Sequence, residues 1–96
     1  MIEFHPLALQ ELRRAQAWYR DKSLQAAERF FEKTSRTIDR ILSDPASHAP
    51  IGRNSRYVRI ARFPYVLIYR VRHEKDVYVI AVAHTSRRRG YWHNRK

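Results

Sequence analysis

Tyr65-Val66-Leu67-Ile68-Tyr69-Arg70-Val71 and Val77-Tyr78-Val79-Ile80-Ala81-Val82-Ala83 are dense in β-branched and aromatic residues. The polar stretch His73-Glu74-Lys75-Asp76 lies between them, so the two runs read as neighbouring antiparallel strands. No Asn-Gly signal is present, which leaves the turn type open. Upstream, Arg56-Tyr57-Val58-Arg59-Ile60-Ala61-Arg62 alternates, setting Val58 and Ile60 on one face and Tyr57, Arg59 and Ala61 on the other. Three strands over 56–84 therefore predict an antiparallel meander, with Leu67, Tyr69, Ile80 and Val82 contributing to the core. Sheet register, and hence which arginines share a face, stays open.

Upstream of these strands the period changes. Ile2–His5 is a short β-prone segment ended by Pro6, a residue favoured in the first turn of a helix. From there Ala8, Leu12, Ala15, Trp18 and Tyr19 mark one helical face, which makes Trp18 and Tyr19 expected core residues. Ser23 is a candidate N-cap for a second helix, whose apolar stripe runs through Ala27, Phe31, Thr34, Ile38 and Ile41. Two amphipathic helices with a short join predict a helical hairpin over 6–43. Pro45, Pro50 and Gly52 mark Asp44–Ser55 as a loop. The expected class is α+β: one domain over 1–96, with a strand at 1–5, the hairpin packed on one face of the sheet, and a basic tail at 85–96.

Charge is distributed unevenly. The chain carries a formal charge of +11, and 16 of its 20 basic residues are Arg. Residues 1–48 hold eight basic and seven acidic side chains, whereas 49–96 hold twelve against Glu74 and Asp76 alone. Such a field attracts nucleic acid, an acidic protein or an anionic surface. Arg is the side chain suited to planar, bidentate contact with phosphate or carboxylate. The absence of cysteine excludes disulfides, thiolate metal sites and a thiol nucleophile. No apolar run approaches the roughly 20 residues of a membrane span, and no signal-peptide core follows Met1, so a cytoplasmic protein with no membrane role is expected. His5, His48 and His73 are scattered without ligand spacing, and neither metal nor cofactor is expected.

Three local patterns carry a family resemblance. They are the hairpin with Ala8, Leu12, Ala15 and Trp18-Tyr19 followed by Phe30-Phe31, the Arg62-Phe63-Pro64-Tyr65 strand opening, and Ile80–His84 followed by Arg87-Arg88-Arg89-Gly90-Tyr91-Trp92. In order and spacing the chain resembles the RelE/ParE superfamily of toxins from bacterial type II toxin–antitoxin systems, closer to the ParE-type (plasmid stabilisation) branch. Arg89 stands where that family usually has Pro. The resemblance implies a ParE-like toxin that inhibits DNA gyrase by binding and is neutralised by a cognate acidic antitoxin in a hetero-oligomer. The other branch implies a ribosome-dependent, metal-independent mRNA endonuclease (an mRNA interferase). A non-toxic, basic nucleic-acid-binding domain is a further alternative.

The residues weigh these readings. As a nuclease the chain would draw on Arg59 and Arg70 as phosphate clamps and on His84 or Tyr91 for proton transfer. Val66 and Thr85 stand where the RelE branch has arginines, and losing two cations removes much of the electrostatic stabilisation such a reaction needs. Binding is therefore favoured over catalysis. His84 is read first as a buried or half-buried, backbone-bonded histidine, and His93 as solvated. The target- or antitoxin-binding set is Arg59, Arg62, Arg87, Arg88, Arg89, Tyr91 and Trp92, with packing of Trp92 against the sheet as the competing reading. An acidic antitoxin would complement those arginines by adding a strand or filling a groove.

Overall fold

The computed structural model describes residues 1–73 and 76–96. Seven elements follow one another: β1 (Ile2–Phe4), α1 (Pro6–Lys22), α2 (Leu24–Ser43), β2 (Ala49–Ile51), β3 (Ser55–Arg59), β4 (Tyr65–Arg72) and β5 (Asp76–His84). Pro6 opens α1, and the Nδ1 of His5 accepts a hydrogen bond from the Leu7 backbone N–H at 3.0 Å. One residue joins the helices. Ser23, in extended backbone, donates its N–H to the Tyr19 carbonyl to close α1, and its Oγ accepts from the Ala26 N–H to open α2. A join this short makes the two helices double back on each other.

The strands form a five-stranded sheet in the order β1-β5-β4-β3-β2, with β1 parallel to β5 and every other pairing antiparallel. The meander is thus extended at both ends. β2 lies within the expected Asp44–Ser55 loop, and it is tolerated there because Pro50 sits on an edge strand. The turn expected at His73–Asp76 includes Glu74 and Lys75, which lie outside the described residues.

Both faces of the sheet are covered. On one, Ala8, Leu12 and Ala15 of α1 and Phe30 and Ile41 of α2 pack against Val58, Leu67, Tyr69, Val77, Val79 and Val82. On the other, Trp92 of the tail packs with Ile68, Tyr78, Ile80, Ala81 and Ala83. Double coverage explains why Val77–Ala83 reads as an unbroken apolar run rather than an alternation.

Alternation-based expectations fail at three places, each for a local reason. Tyr69 pairs with Val79 while Ile68 pairs with Ala81, so Ile80 is the extra residue of a β-bulge. Val82 therefore faces the helices and Ile80 the tail, so both are buried as expected but on opposite faces of the sheet. In α2 the buried stripe is Phe30, Thr34, Thr37 and Ile41, and Phe31 is 63% exposed. Phe30 wins because it stacks on Tyr19 at 4.9 Å and meets Phe63 and Tyr65 edge-on at 5.1 and 5.6 Å. Trp18 is 54% exposed, leaving Tyr19 as the aromatic of α1 that enters this cluster.

Arg62 occupies the left-handed region (φ 70°) in the connection between β3 and β4, where the Phe63 N–H donates to the Ile60 carbonyl. That geometry needs a positive φ at the third turn position, which costs a side-chain-bearing residue about 1–2 kcal/mol.

The helix assignment separates two adjacent phenylalanines. Phe30→Ala is expected to destabilise the protein by about 3–5 kcal/mol in denaturant unfolding, against no more than about 0.5 kcal/mol for Phe31→Ala. Equal costs would contradict the packing described here.

Candidate functional site

β1 is short. It pairs with β5 only over Val77–Val79, and His5 extends the contact by donating its N–H to the Val79 carbonyl at 2.8 Å. Beyond that point the β5 edge would expose backbone groups beside the apolar body of α1, at a real free-energy cost. Side chains replace the missing strand. Glu11 Oε1 accepts from the Val82 N–H at 3.0 Å, and Arg95 Nη1 donates to the carbonyl of the bulged Ile80 at 2.9 Å. The two side chains also pair with each other as a fork, Nη1 to Oε1 and Nη2 to Oε2, both at 2.9 Å. Tyr91 completes the group by donating its hydroxyl proton to Glu11 Oε2 at 2.7 Å. Glu11 and Arg95 are only 11% and 12% exposed, so this pair is weakly screened, unlike a surface ion pair.

The latch fixes the tail. Arg70 donates from Nη1 to the Arg95 carbonyl and from Nε to Ser55 Oγ, and the Tyr78 hydroxyl donates to the Lys96 carbonyl. Successive turns link Gly90 to His93 and Trp92 to Arg95. Gly90 has φ 80°, and a Cβ there would lie 2.6 Å from the His93 ring, so both backbone and space demand glycine. Between His84 and this anchored segment the chain bows out as Thr85–Arg89, and all five of these residues are exposed.

The sequence-predicted residues now have places. Arg87, Arg88 and Arg89 ride on the exposed bow. The Arg87 guanidinium lies 4.0 Å over the Tyr91 ring, whose hydroxyl holds Glu11, with Arg95 at 5.0 Å from the same ring. Arg59 is exposed on the tail-covered face of β3, paired across to Val66, and Arg62 is exposed in its turn nearby. Trp92 is 3% exposed and belongs to the core, so it shapes the surface from beneath instead of presenting itself to a partner. His84 Nδ1 accepts from the Ser86 N–H at 3.0 Å, which places the proton of its neutral ring on Nε2, and it meets Tyr65 edge-on. His93 is exposed, with its ring tilted against that of Trp92 at 4.5 Å between centroids.

Among the described residues the ion pairs are Met1–Asp76, Arg36–Glu32 and Arg95–Glu11, so the bow's three arginines have no acidic partner there. Nor do the described residues gather three or more His, Cys, Asp or Glu side chains where a metal could sit. No helix among them is long and apolar enough to cross a membrane. A cleft of about 420 Å³ opens beside the bow, between α1 and the start of β4, bordered by Arg14, Trp18, Tyr19, Tyr65, His84 and Arg87.

Electrostatics follows the geometry. Burial acts to raise the Glu11 carboxyl pKa, but hydrogen bonds from Arg95, Tyr91 and the Val82 N–H, with the Arg95 charge, hold it below the ordinary carboxylate value. Burial, then the hydrogen bond to Glu11 and its negative charge, lifts the Tyr91 phenol far above its usual value of 10.0. Glu11 and Arg95 were not among the sequence candidates. Glu11 did carry a signal: it stands within the helical stripe of Ala8, Leu12 and Ala15, where an acid is out of place. Arg95 is one basic residue among several in the tail and carries none.

Because the folded carboxyl is the more acidic one, its stabilisation is present above the unfolded pKa near 4.3 and lost as pH falls through the lower folded value. Glu11→Gln is therefore expected to cost about 2–4 kcal/mol at neutral pH, with the gap to the unaltered protein narrowing below about pH 4. Unfolding curves at the two pH values check this, and a pH-independent gap would contradict the ionised pair.

A comparison with known families returns a match. A model described as ParE toxin of type II toxin–antitoxin system, parDE, covers residues 2–89. A comparison with curated proteins returns no match. The matched span takes in both helices, the whole sheet and the arginine bow, and ends just before the segment carrying Tyr91, Trp92 and Arg95.

Proposed function

This chain belongs to the ParE toxins of type II toxin–antitoxin systems, and on that premise we propose that it acts by binding DNA gyrase, with the Arg87–Arg89 bow as the docking surface. Family membership implies an antitoxin partner; the finer reading is that a cognate acidic antitoxin neutralises the toxin by covering this region. The observation that carries the proposal is the bow itself: three exposed arginines, without acidic partners among the described residues, on a segment held by a buried ion pair. Exposed charges on a fixed frame give directional recognition without the ordering cost of a loose tail.

The nuclease alternative draws less support. The Tyr91 proton is held by Glu11, two nitrogens of the Arg70 guanidinium hold Arg95 and Ser55, and the Nδ1 of His84 holds Ser86. Three of the four candidate catalytic groups thus have structural partners. A phenol with its pKa pushed so far up is a poor source or sink of a proton near neutral pH.

For the antitoxin, the cleft beside the bow fits an acidic segment bearing a bulky apolar side chain. Trp18 and Tyr65 supply the apolar wall, and Arg14 and Arg87 supply the charge.

Replacing Arg87, Arg88 and Arg89 together by Ala is expected to raise the concentration that half-inhibits gyrase supercoiling by about tenfold or more, with the fold retained. Unchanged inhibition removes the bow from the mechanism; a stop of translation before DNA synthesis in induced cells removes gyrase. Trp18→Ala is expected to weaken antitoxin binding by about 10–30-fold in titration calorimetry while toxicity persists. An undiminished affinity would move the antitoxin elsewhere.

A further inference from the structure

The bow is not the only cationic feature of this face. Beyond Trp92, a separate concavity of about 410 Å³ lies between the Gly52–Ser55 turn and the tail, bordered by Arg53, Asn54, Ser55, Arg70 and His93. No carboxylate among the described residues lines it. We propose that this pocket binds a backbone phosphate of a nucleic-acid strand.

The lining has the chemistry of an oxyanion site. It offers two guanidinium groups, an imidazole, a hydroxyl and an amide, donors suited to the two anionic oxygens of a phosphodiester and the ester oxygens beside them. Arg70 is half-buried and already oriented, since Nε holds Ser55 Oγ at 3.3 Å and Nη1 holds the Arg95 carbonyl at 3.0 Å. Those bonds leave Nη2 for a ligand and remove most of the side-chain entropy that a free arginine loses on binding. Arg53 is exposed in the turn where Gly52 takes φ 64°, and so is available to close on the anion.

The surroundings suit a strand rather than an isolated ion. His93 lies tilted against Trp92, with ring centroids 4.5 Å apart, and its exposed ring gives a nucleobase a flat surface beside the phosphate. Trp92 also borders the neighbouring depression that contains Arg88 and Arg89, so cations flank it on both sides. A backbone crossing this ridge would meet positive charge before and after it.

The proposal stands apart from the gyrase reading, and its test needs neither gyrase nor antitoxin. The full chain is titrated with a short fluorescent DNA duplex and with its single strand, over a range of salt concentrations. Arg53→Ala, on an exposed side chain, is expected to lower affinity for DNA and reduce the slope of log K against log salt by about 1. Arg36→Ala, on the outer face of α2, is the control for bulk charge and is expected to leave that slope in place. The proposal is overturned if Arg53→Ala keeps the original slope or if Arg36→Ala lowers it equally. A loss seen with polyglutamate but not with DNA also overturns it, by making the pocket a site for acidic protein.

Discussion

The Glu11–Arg95 pair is the constraint on which the exposed chemistry depends. It does the work of a missing β-strand, satisfying the Val82 N–H and the Ile80 carbonyl where β1 stops. It is also the fixed point from which Tyr91 and, over its ring, Arg87 take their positions. A buried ion pair adds little to stability compared with well-packed apolar residues, yet removing one partner is costly. Its value here is geometric, since it pins a basic segment that would otherwise repel itself into disorder.

That arrangement turns an excess of charge into a shaped surface. The second half of the sequence cannot neutralise its arginines internally, having only Glu74 and Asp76. The fold responds by sorting them. Arg70 and Arg95 are drawn in to hold the tail, while Arg59, Arg62 and the bow's three arginines stay outside. A protein whose cations are sorted this way is suited to capturing a macromolecular partner, and less to moving protons, because the groups with proton chemistry serve as struts.

Much of this was legible in the residues. Helix starts at Pro6 and Ser23, the change of period after Pro45, and the strands from Arg56 onward follow from capping and alternation alone. Choices between adjacent equivalents were not legible. Phe30 and Phe31 differ by one position, and which one is buried depends on Tyr19, Phe63 and Tyr65 arriving from other elements. The bulge at Ile80 has no local signature, since β-branched and small residues surround it. At the site, the exposed arginines could be read from their number and clustering, but the role of Trp92 depended on which sheet face the tail covers. Glu11 and Arg95 stand at opposite ends of the chain, and no local pattern connects them.

That separation bears on how the molecule comes into being. β1 pairs with β5, and Glu11 pairs with Arg95, so residues far apart in the sequence meet in the finished sheet. During synthesis the hairpin of helices can form from local contacts, but an inner strand and the latch are made later. Closing such long-range contacts is slow compared with helix formation. Until Arg95 has emerged the nascent chain lacks the clamped arginine bow, so the surface proposed to be harmful is assembled well after the helices that flank it.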